Sequence, residues 1–547
     1  MRNKRRVNCD TPRRSARSLA RSVILAIALV SSGCSVGPDF SSPPPPVADS
    51  WLEWRSKALK SEGESAWDWW RVFNDPILDR LIETAYKQNL TLLSAGTKVL
   101  QARAQLGIAI GDFYPQQQGA SSALNYSRAS NATPASQGGN SVTLGNFWSD
   151  RWFVQSSWEL DLWGKFRRGI ESADAAYLAS IASYDDVLVT LLSDVANTYV
   201  GIRTLERQIA IARKNVVRQR EAVRIARDRY EGGATSLLDV HQAQNVLAST
   251  EASVPRLTLQ LKQGENALRF LLGMSPEPLG FLLARGVGGI PAAPSKAVVG
   301  IPADLLRRRP DIRAAELKAA AQSAQIGVAQ AELYPAISIS GVFGGQASNV
   351  GVHNLAQMLH PVGRMFSVGP SFRWNLLNYG QITNNVRLQD ATLQQYLIDY
   401  QSRVLKAQEE VENGIATYLL SASEASYLRR SVSEAQGALH IAMLEYQQGT
   451  RDFTTVLTAE QNLYQAENNL AVATGNISSG LVSLYRALGG GWQIRTGKPF
   501  VNIATATEMR NRTNWGTLLP ADDQADAEVP GLPSPQDVSS AIRLPEW

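Results

Sequence analysis

Residues 165–230 read KFRRGIESADAAYLASIASYDDVLVTLLSDVANTYVGIRTLERQIAIARKNVVRQREAVRIARDRY. Every seventh residue from Ile181 is apolar or aromatic: Leu188, Val195, Ile202, Ile209, Val216, Val223 and Tyr230. The same walk 216 residues later meets Leu397, Val404, Val411, Tyr418, Ala425, Val432, Leu439 and Tyr446. A seven-residue apolar period held this long predicts a long helix packed lengthwise on neighbours, supercoiled to the left. No proline interrupts 135–254 or 371–498, so both stretches are free to stay helical. A helix over 165–230 spans roughly 100 Å at ~1.5 Å per residue. The seam alone fits a filamentous coiled coil as well as anything else; the rest of the chain argues for something more specific.

The chain has 547 residues, room for several ordinary domains, yet one unit used twice fills most of it. Gly107 to Tyr114-Pro115 matches Gly327 to Tyr334-Pro335 at an offset of 220, and Trp158 to Gly164 matches Trp374 to Gly380 at 216. Leu268, Leu272 and Gly273 match Leu484, Leu488 and Gly489. Each unit reads as helix, two strands, long helix, turn, return helix. The units are placed at 76–273 and 301–489, joined by a Gly/Pro-rich connector at 274–300. Their strands are expected at about 116–128, 150–163, 335–346 and 365–377. The long helices are expected at about 165–230 and 380–446, and the return helices at about 236–272 and 452–488. Pro255 is expected to kink the first return helix. The tail, 490–547, turns polar and is expected to be disordered from about 515.

The N-terminus reads as a signal peptide over 1–33. Eight basic residues and one acid, Asp10, precede or flank the apolar run Val23–Val30. That run is shorter than the ~20 residues a spanning helix needs. The formal charge of the whole chain is +5, and removing the leader's net +7 leaves −2. A chain that close to neutrality gives no reason to expect a nucleic-acid partner. Ser31-Ser32-Gly33-Cys34 follows the apolar run. It resembles a bacterial lipobox, with Ser31 where that pattern usually has Leu, and the resemblance makes Cys34 the lipidated first residue of the mature chain. Ser35 in place of an Asp favours the outer membrane over inner-membrane retention. A secreted protein with a free Cys34 is the alternative. Cys9 is the only other cysteine and leaves with the leader, so no disulfide is expected. Residues 34–75, with prolines from Pro43 to Pro46, read as a lipidated N-terminus and extended tether.

Trp67-Asp68-Trp69-Trp70-Arg71-Val72-Phe73-Asn74-Asp75-Pro76 opens the folded part, with Asp75 placed to cap a helix and Pro76 suited to its first turn. Cys34-Ser35-Val36-Gly37-Pro38-Asp39-Phe40 followed by this stretch resembles the TolC-like outer-membrane factors of lipoprotein type. These are the exit ducts of tripartite efflux and secretion systems. Ile301-Pro302-Ala303-Asp304-Leu305-Leu306-Arg307-Arg308-Arg309-Pro310-Asp311 also matches that family's mid-chain signature. The resemblance covers about residues 34–492. It implies a mixed α+β membrane protein: a homotrimer whose twelve-stranded transmembrane β-barrel, four strands per chain, continues into a long periplasmic α-helical barrel. In that family the connectors form a belt around the middle of the helical barrel.

Alternation along the strands agrees with such a barrel. Trp152, Val154, Trp158, Leu160 and Leu162 fall on one face, and Gln155, Ser157, Glu159 and Asp161 on the other. Phe366, Val368, Phe372, Trp374 and Leu376 likewise oppose Ser367, Ser371, Arg373 and Asn375. Apolar outside and polar inside over ~10 residues is the pattern of a strand crossing lipid around a wet lumen, although a soluble two-faced sheet alternates in the same way. Four strands do not close a barrel, and open edges are not tolerated in lipid. Two copies give eight strands and a filled interior, whereas three give twelve and leave room for a channel. The resemblance selects the trimer.

No catalytic constellation stands out. His241, His353, His360 and His440 lack metal-ligand spacing, and neither a P-loop nor a dinucleotide fingerprint is present. No enzyme activity, metal or cofactor is expected. Interest falls on two turns that end the rods, Arg229–Val240 and Glu445–Val456. Gly233 and Gly449 sit where a helix hairpin needs a left-handed residue. Read bare, these are two αα-hairpin turns. The resemblance makes them periplasmic tips that contact a periplasmic adaptor through Gly232, Gly233, Ser236, Leu237, Gly449, Thr450 and Phe453. It assigns a closed gate to Asp239, Tyr446 and Arg451, and a constriction to Thr455 and Thr458, with Asp452 able to substitute for acids that relatives place there. Apolar packing of Leu237 and Phe453 is the competing account of closure. The implied partners are that adaptor, an inner-membrane transporter that supplies the energy, and outer-membrane lipid. A non-conducting, envelope-spanning scaffold is the alternative function.

Overall fold

The computed structural model describes residues 35–519, apart from 45, 49, 54, 61–66, 129–135, 138–139, 142–145, 284–288, 300–307 and 351–353. The leader, Cys34, Ile301–Arg307 of the mid-chain signature and the tail beyond Leu519 lie outside the described residues.

Asp75 starts the first unit. Its carboxylate accepts from the amides of Ile77 (2.9 Å) and Leu78 (3.4 Å), and Pro76 needs no partner in the first turn, so α1 (Pro76–Gln88) begins there. Asn89 caps α2 (Leu90–Gly111) through the Leu92 amide at 2.8 Å. Strands β1 (Gln117–Arg128) and β2 (Asn146–Leu160) follow, then the rod α3 (Lys165–Glu231) and the return helix α4 (Leu237–Leu271). The second unit runs α5 (Pro310–Ala331), β3 (Ala336–Ser348), β4 (Arg364–Arg373), α6 (Gln381–Gln447) and α7 (Phe453–Ala487). Equivalent helices match in length: 22 residues in α2 and α5, 67 in α3 and α6, 35 in α4 and α7.

Several boundaries differ from the sequence reading. β4 stops at Arg373, which pairs with Ala336, the first residue of β3. Trp374 and Leu376 lie beyond the last paired residue, and the Leu376 amide turns back to the Trp374 carbonyl. β2 begins early, at Asn146, because β1 extends to Arg128 and pairs with it there. The tail is ordered past 515: α8 (Ile503–Arg512) and the turn Gly516–Leu518 cover α2, with Leu100, Val501, Ala506, Met509 and Leu519 in one apolar cluster. Arg495 anchors this belt by donating to both carboxylate oxygens of the buried Asp185 on α3.

The strands lie in the order β1-β2-β3-β4, every pair antiparallel. Above the belt the helices follow the same order, α2-α3-α5-α6, and below it α4-α3-α7-α6. Each strand therefore continues into the helix beneath it. The sheet register puts Val154 beside Phe343 and Phe343 beside Phe366, with Trp158 opposite Ile339 and Ile337 opposite Phe372. These residues share one face. Gln155, Ser157, Ser340, Ser367 and Ser371 share the other, interrupted by Phe153, Val342 and Met365. The largest core sits at the belt, where α1, α3 and α7 converge around Trp69, Leu78, Leu192, Tyr199 and Tyr485.

The N-terminal segment is strapped along one face of this stack. The Val36 amide donates to the Trp163 carbonyl (3.1 Å), and Arg168 donates to the carbonyls of Val36 and Gly37 and to Asp39 (2.7 Å). Gly37, at φ +99, rests on Gly327 so closely that a Cβ would lie 2.4 Å from the Gly327 Cα. Lower down, Gln408 accepts from the Ala48 amide and donates to the Pro46 carbonyl, and Glu412 accepts from the Leu52 amide.

Candidate functional site: the hairpin tips

Both rods end in the same way. The amides of Gly232 and Gln448 return to carbonyls four residues back, and those of Ala234 and Thr450 return five back, to Arg229 and Glu445. Gly233 (φ 71) and Gly449 (φ 78) supply the left-handed residue this closure requires. The return helices start differently. Ser236 precedes α4 with extended backbone but makes no side-chain cap, whereas Asp452 caps α7 through the Thr455 amide (3.2 Å) and also accepts from the Thr455 hydroxyl (2.7 Å). The Thr455 hydroxyl, then its amide, hold the Asp452 carboxyl below the ordinary range.

Between the hairpins lies a small core of its own. Ala222, Ala226, Val240 and Ala243 meet Ala442, Tyr446, Phe453, Val456 and Leu457. Tyr446 and Phe453 are fully buried, their ring centroids 5.0 Å apart. Tyr230, the repeat equivalent of Tyr446, is exposed, so the two units part company here. The asymmetry comes from Arg229. Its guanidinium lies over the Tyr446 ring, 4.6 Å from the centroid, and donates to the carbonyls of Tyr446 and Gln447. The equivalent residue in the second unit is Glu445, which accepts from Arg451 at 3.2 Å. The sequence reading missed Arg229; the reversal of charge between positions 229 and 445 was the signal that marked it.

The other expected gate residues are brought together only in part. Asp239 accepts from the Thr235 hydroxyl. It faces Tyr446, whose phenol is pushed up by burial, with Thr235, Asp239 and Arg229 acting on it more weakly. Thr235 is near the phenol, yet among the described residues no group meets the buried Tyr446 Oη at full hydrogen-bond geometry. Arg451 pairs with Glu445 of its own hairpin, and within one protomer no Asp239–Arg451 ion pair forms among the described residues. Leu237 is exposed, so it takes no part in the tip core that holds Phe453. Asp452, Thr455 and Thr458 line a groove of about 860 Å³ between α6 and α7 with Asn462, Gln465 and Asn469. Among the described residues no group of His, Cys, Asp or Glu is arranged to hold a metal ion.

Comparison with known proteins places this architecture. The family model described as outer membrane efflux protein matches residues 81–274 and 301–490, one match per unit. Nodulation protein T of Rhizobium leguminosarum bv. viciae is 30% identical over 467 residues, covering 85% of this chain and 92% of its own. The probable efflux pump outer membrane protein SepC of Pseudomonas putida is 26% identical, covering 87% and 98%. Among solved structures, the outer-membrane channel OprN superposes with a TM-score of 0.77 at 33% identity, over 84% of this chain and all of that one. The chain belongs to the outer membrane efflux protein family and is an outer-membrane channel component of an efflux system.

Proposed function

We propose that three copies close side by side into a passive duct, a twelve-stranded barrel in the outer membrane above a helical barrel in the periplasm. One observation carries this reading: strands and helices share one lateral order, so each chain is a strip with the same two open edges from top to bottom. β1 and β4 each leave a row of backbone groups unpaired on the strip's outer side, next to an apolar face that includes Val154, Phe366, Val368 and Phe372. Lipid demands that those groups be paired, and edge-to-edge closure pairs them. α6 carries exposed Leu388, Ile398, Leu405 and Leu420 down the same edge, apolar surface that a neighbouring copy would cover.

In this reading the hairpin tips meet a periplasmic adaptor, an inner-membrane transporter supplies the energy, and the tip gate rests closed until the adaptor engages. Lipid on Cys34 would sit at the level of the Trp163–Gly164 junction, because Val36 is bonded there. Mass spectrometry of the mature N-terminal peptide tests the anchor; an unmodified Cys34 defeats it. Single-channel recording in planar bilayers tests the duct. Discrete conductance steps support it, and membranes that stay silent with both the wild type and gate-weakened variants leave the scaffold reading standing.

A further inference from the structure

Lys98 of α2 and Lys318 of α5 are equivalent residues of the two units, separated by the repeat offset of 220. Both are exposed. They border one groove of about 470 Å³ that runs over the small-residue face of α3, past Ala176, Ser180 and Ser183, with Tyr396 at its far side. The groove lies on the face of the strip opposite the N-terminal strap and the C-terminal belt, the inner face in the proposed duct. On α5, the strapped N-terminal segment touches Ser323 and Gly327, whereas Lys318 points to the opposite side of that helix. On α2, the C-terminal belt covers Gly96 and Leu100, and Lys98 again lies opposite. Two of the carboxylates nearby on α3 are engaged elsewhere, Glu171 by Arg168 and Asp185 by Arg495. No ion pair of Lys98 or Lys318 occurs among the described residues.

We infer that this groove is an intraluminal binding site for amphipathic organic anions, cargo with a flat apolar body and a carboxylate or sulfonate. The inference rests on the trimeric duct proposed above. Two lysines per chain, three times over, form a ring at one level of the lumen. Low-dielectric walls of Ala, Tyr and aliphatic carbon strengthen their pull on an anion. The apolar floor takes the body of the ligand while the ammonium groups fix its charged end. A cation or a neutral solute gains only the floor. Selection of this kind needs no conformational change, which suits a conduit that must release what it holds.

The test uses the full-length protein in planar bilayers and in nanodiscs, with naphthalene sulfonate as probe and naphthalene sulfonamide as its neutral counterpart. Naphthalene sulfonate is expected to block the wild-type current. Each of Lys98→Gln and Lys318→Gln is expected to weaken that block about tenfold, the loss of one charge-assisted contact, and Lys→Arg to preserve it. The reversal potential in a salt gradient should shift toward cation preference in the double Gln variant. Block unchanged in that variant, or equal block by the sulfonamide, overturns the inference. Equilibrium dialysis on the nanodiscs separates the two readings. If no protein conducts but sulfonate binding falls in the Gln variants, the duct reading fails and the groove stands. If currents are normal and binding does not fall, the groove fails alone.

Discussion

The guanidinium of Arg229 caps the ring of Tyr446 and closes on its carbonyl, so one side chain from the first hairpin holds both the face and the backbone of the last turn of the second rod. Arg229→Ala is expected to loosen the tip by about 1–2 kcal/mol, the worth of a partly exposed cation–π contact with hydrogen bonds to carbonyls. Channel recordings should show more frequent or larger openings. Arg229→Lys should recover little, because an ammonium does not stack and bridge two carbonyls at once. Wild-type gating in Arg229→Ala would assign the tip's closure to other contacts.

Within a protomer Arg451 is held by Glu445, so an Asp239 latch has to be made between copies of the proposed trimer or not at all. Wet pairs of this sort are worth ~0–1 kcal/mol each, ~3 kcal/mol at most for three. The double variant Asp239→Ala with Arg451→Ala, recorded beside each single variant, should conduct more than wild type. Should none of the three do so, the packing of Arg229, Tyr446 and Phe453 holds the tip shut without a latch.

The sheet register makes a prediction that one residue of slippage would invert. Cysteines at Ser157 and Ser371 should react with a membrane-impermeant thiol reagent in intact outer membranes. Cysteines at Val154 and Val368, on the apolar face, should be shielded by lipid. The opposite pattern would turn the sheet inside out.

Glu460 lies two turns above Phe453, only 1% exposed, with neither carboxylate oxygen hydrogen-bonded among the described residues. Burial raises its pKa from 4.5 to about 7, partly offset by Arg218, which is itself paired with Glu467 at 2.8 Å. The folded chain thus holds this proton more tightly than the unfolded chain does. Its contribution to stability is intact below pH 4.5 and is lost as pH rises through 7. Glu460→Gln is expected to stabilise the protein at pH 8 by on the order of 2–3 kcal/mol per chain and to change little at pH 5. Thermal melting in detergent at both pH values checks this; an unaltered melting difference between them would rule it out.

The rods were legible because a heptad seam is a local pattern that tertiary packing only has to use, and β2 and β4 because alternation is equally local. Three features were not legible, each for a physical reason. Arg229 stands among Arg220, Arg224 and Arg227; an acid at its repeat position, Glu445, sets it apart, but its role depends on meeting a ring from another hairpin. Where β4 ends depends on where β3 begins, a matter of pairing rather than composition. Order past 515, up to Leu519, depends on scattered apolar residues such as Val501 and Met509 finding α2 some 400 positions earlier in the chain. The gate residues named by resemblance share a neighbourhood, but within a protomer Asp239 bonds Thr235, Arg451 bonds Glu445 and Tyr446 packs against Arg229 and Phe453, partners set by packing between the two hairpins.

Equal rods have an evolutionary corollary. Two hairpins hung from one ceiling reach the same depth only while α3 and α6 keep the same count, 67 residues each. A heptad inserted in one rod alone would leave its tip about 10 Å below the other and rob the Arg229–Tyr446 contact of its partner. Lineages that adjust this molecule to a wider or narrower envelope must therefore write the same insertion or deletion four times, once in each rod and once in each return helix. The connector and tail are free to vary singly.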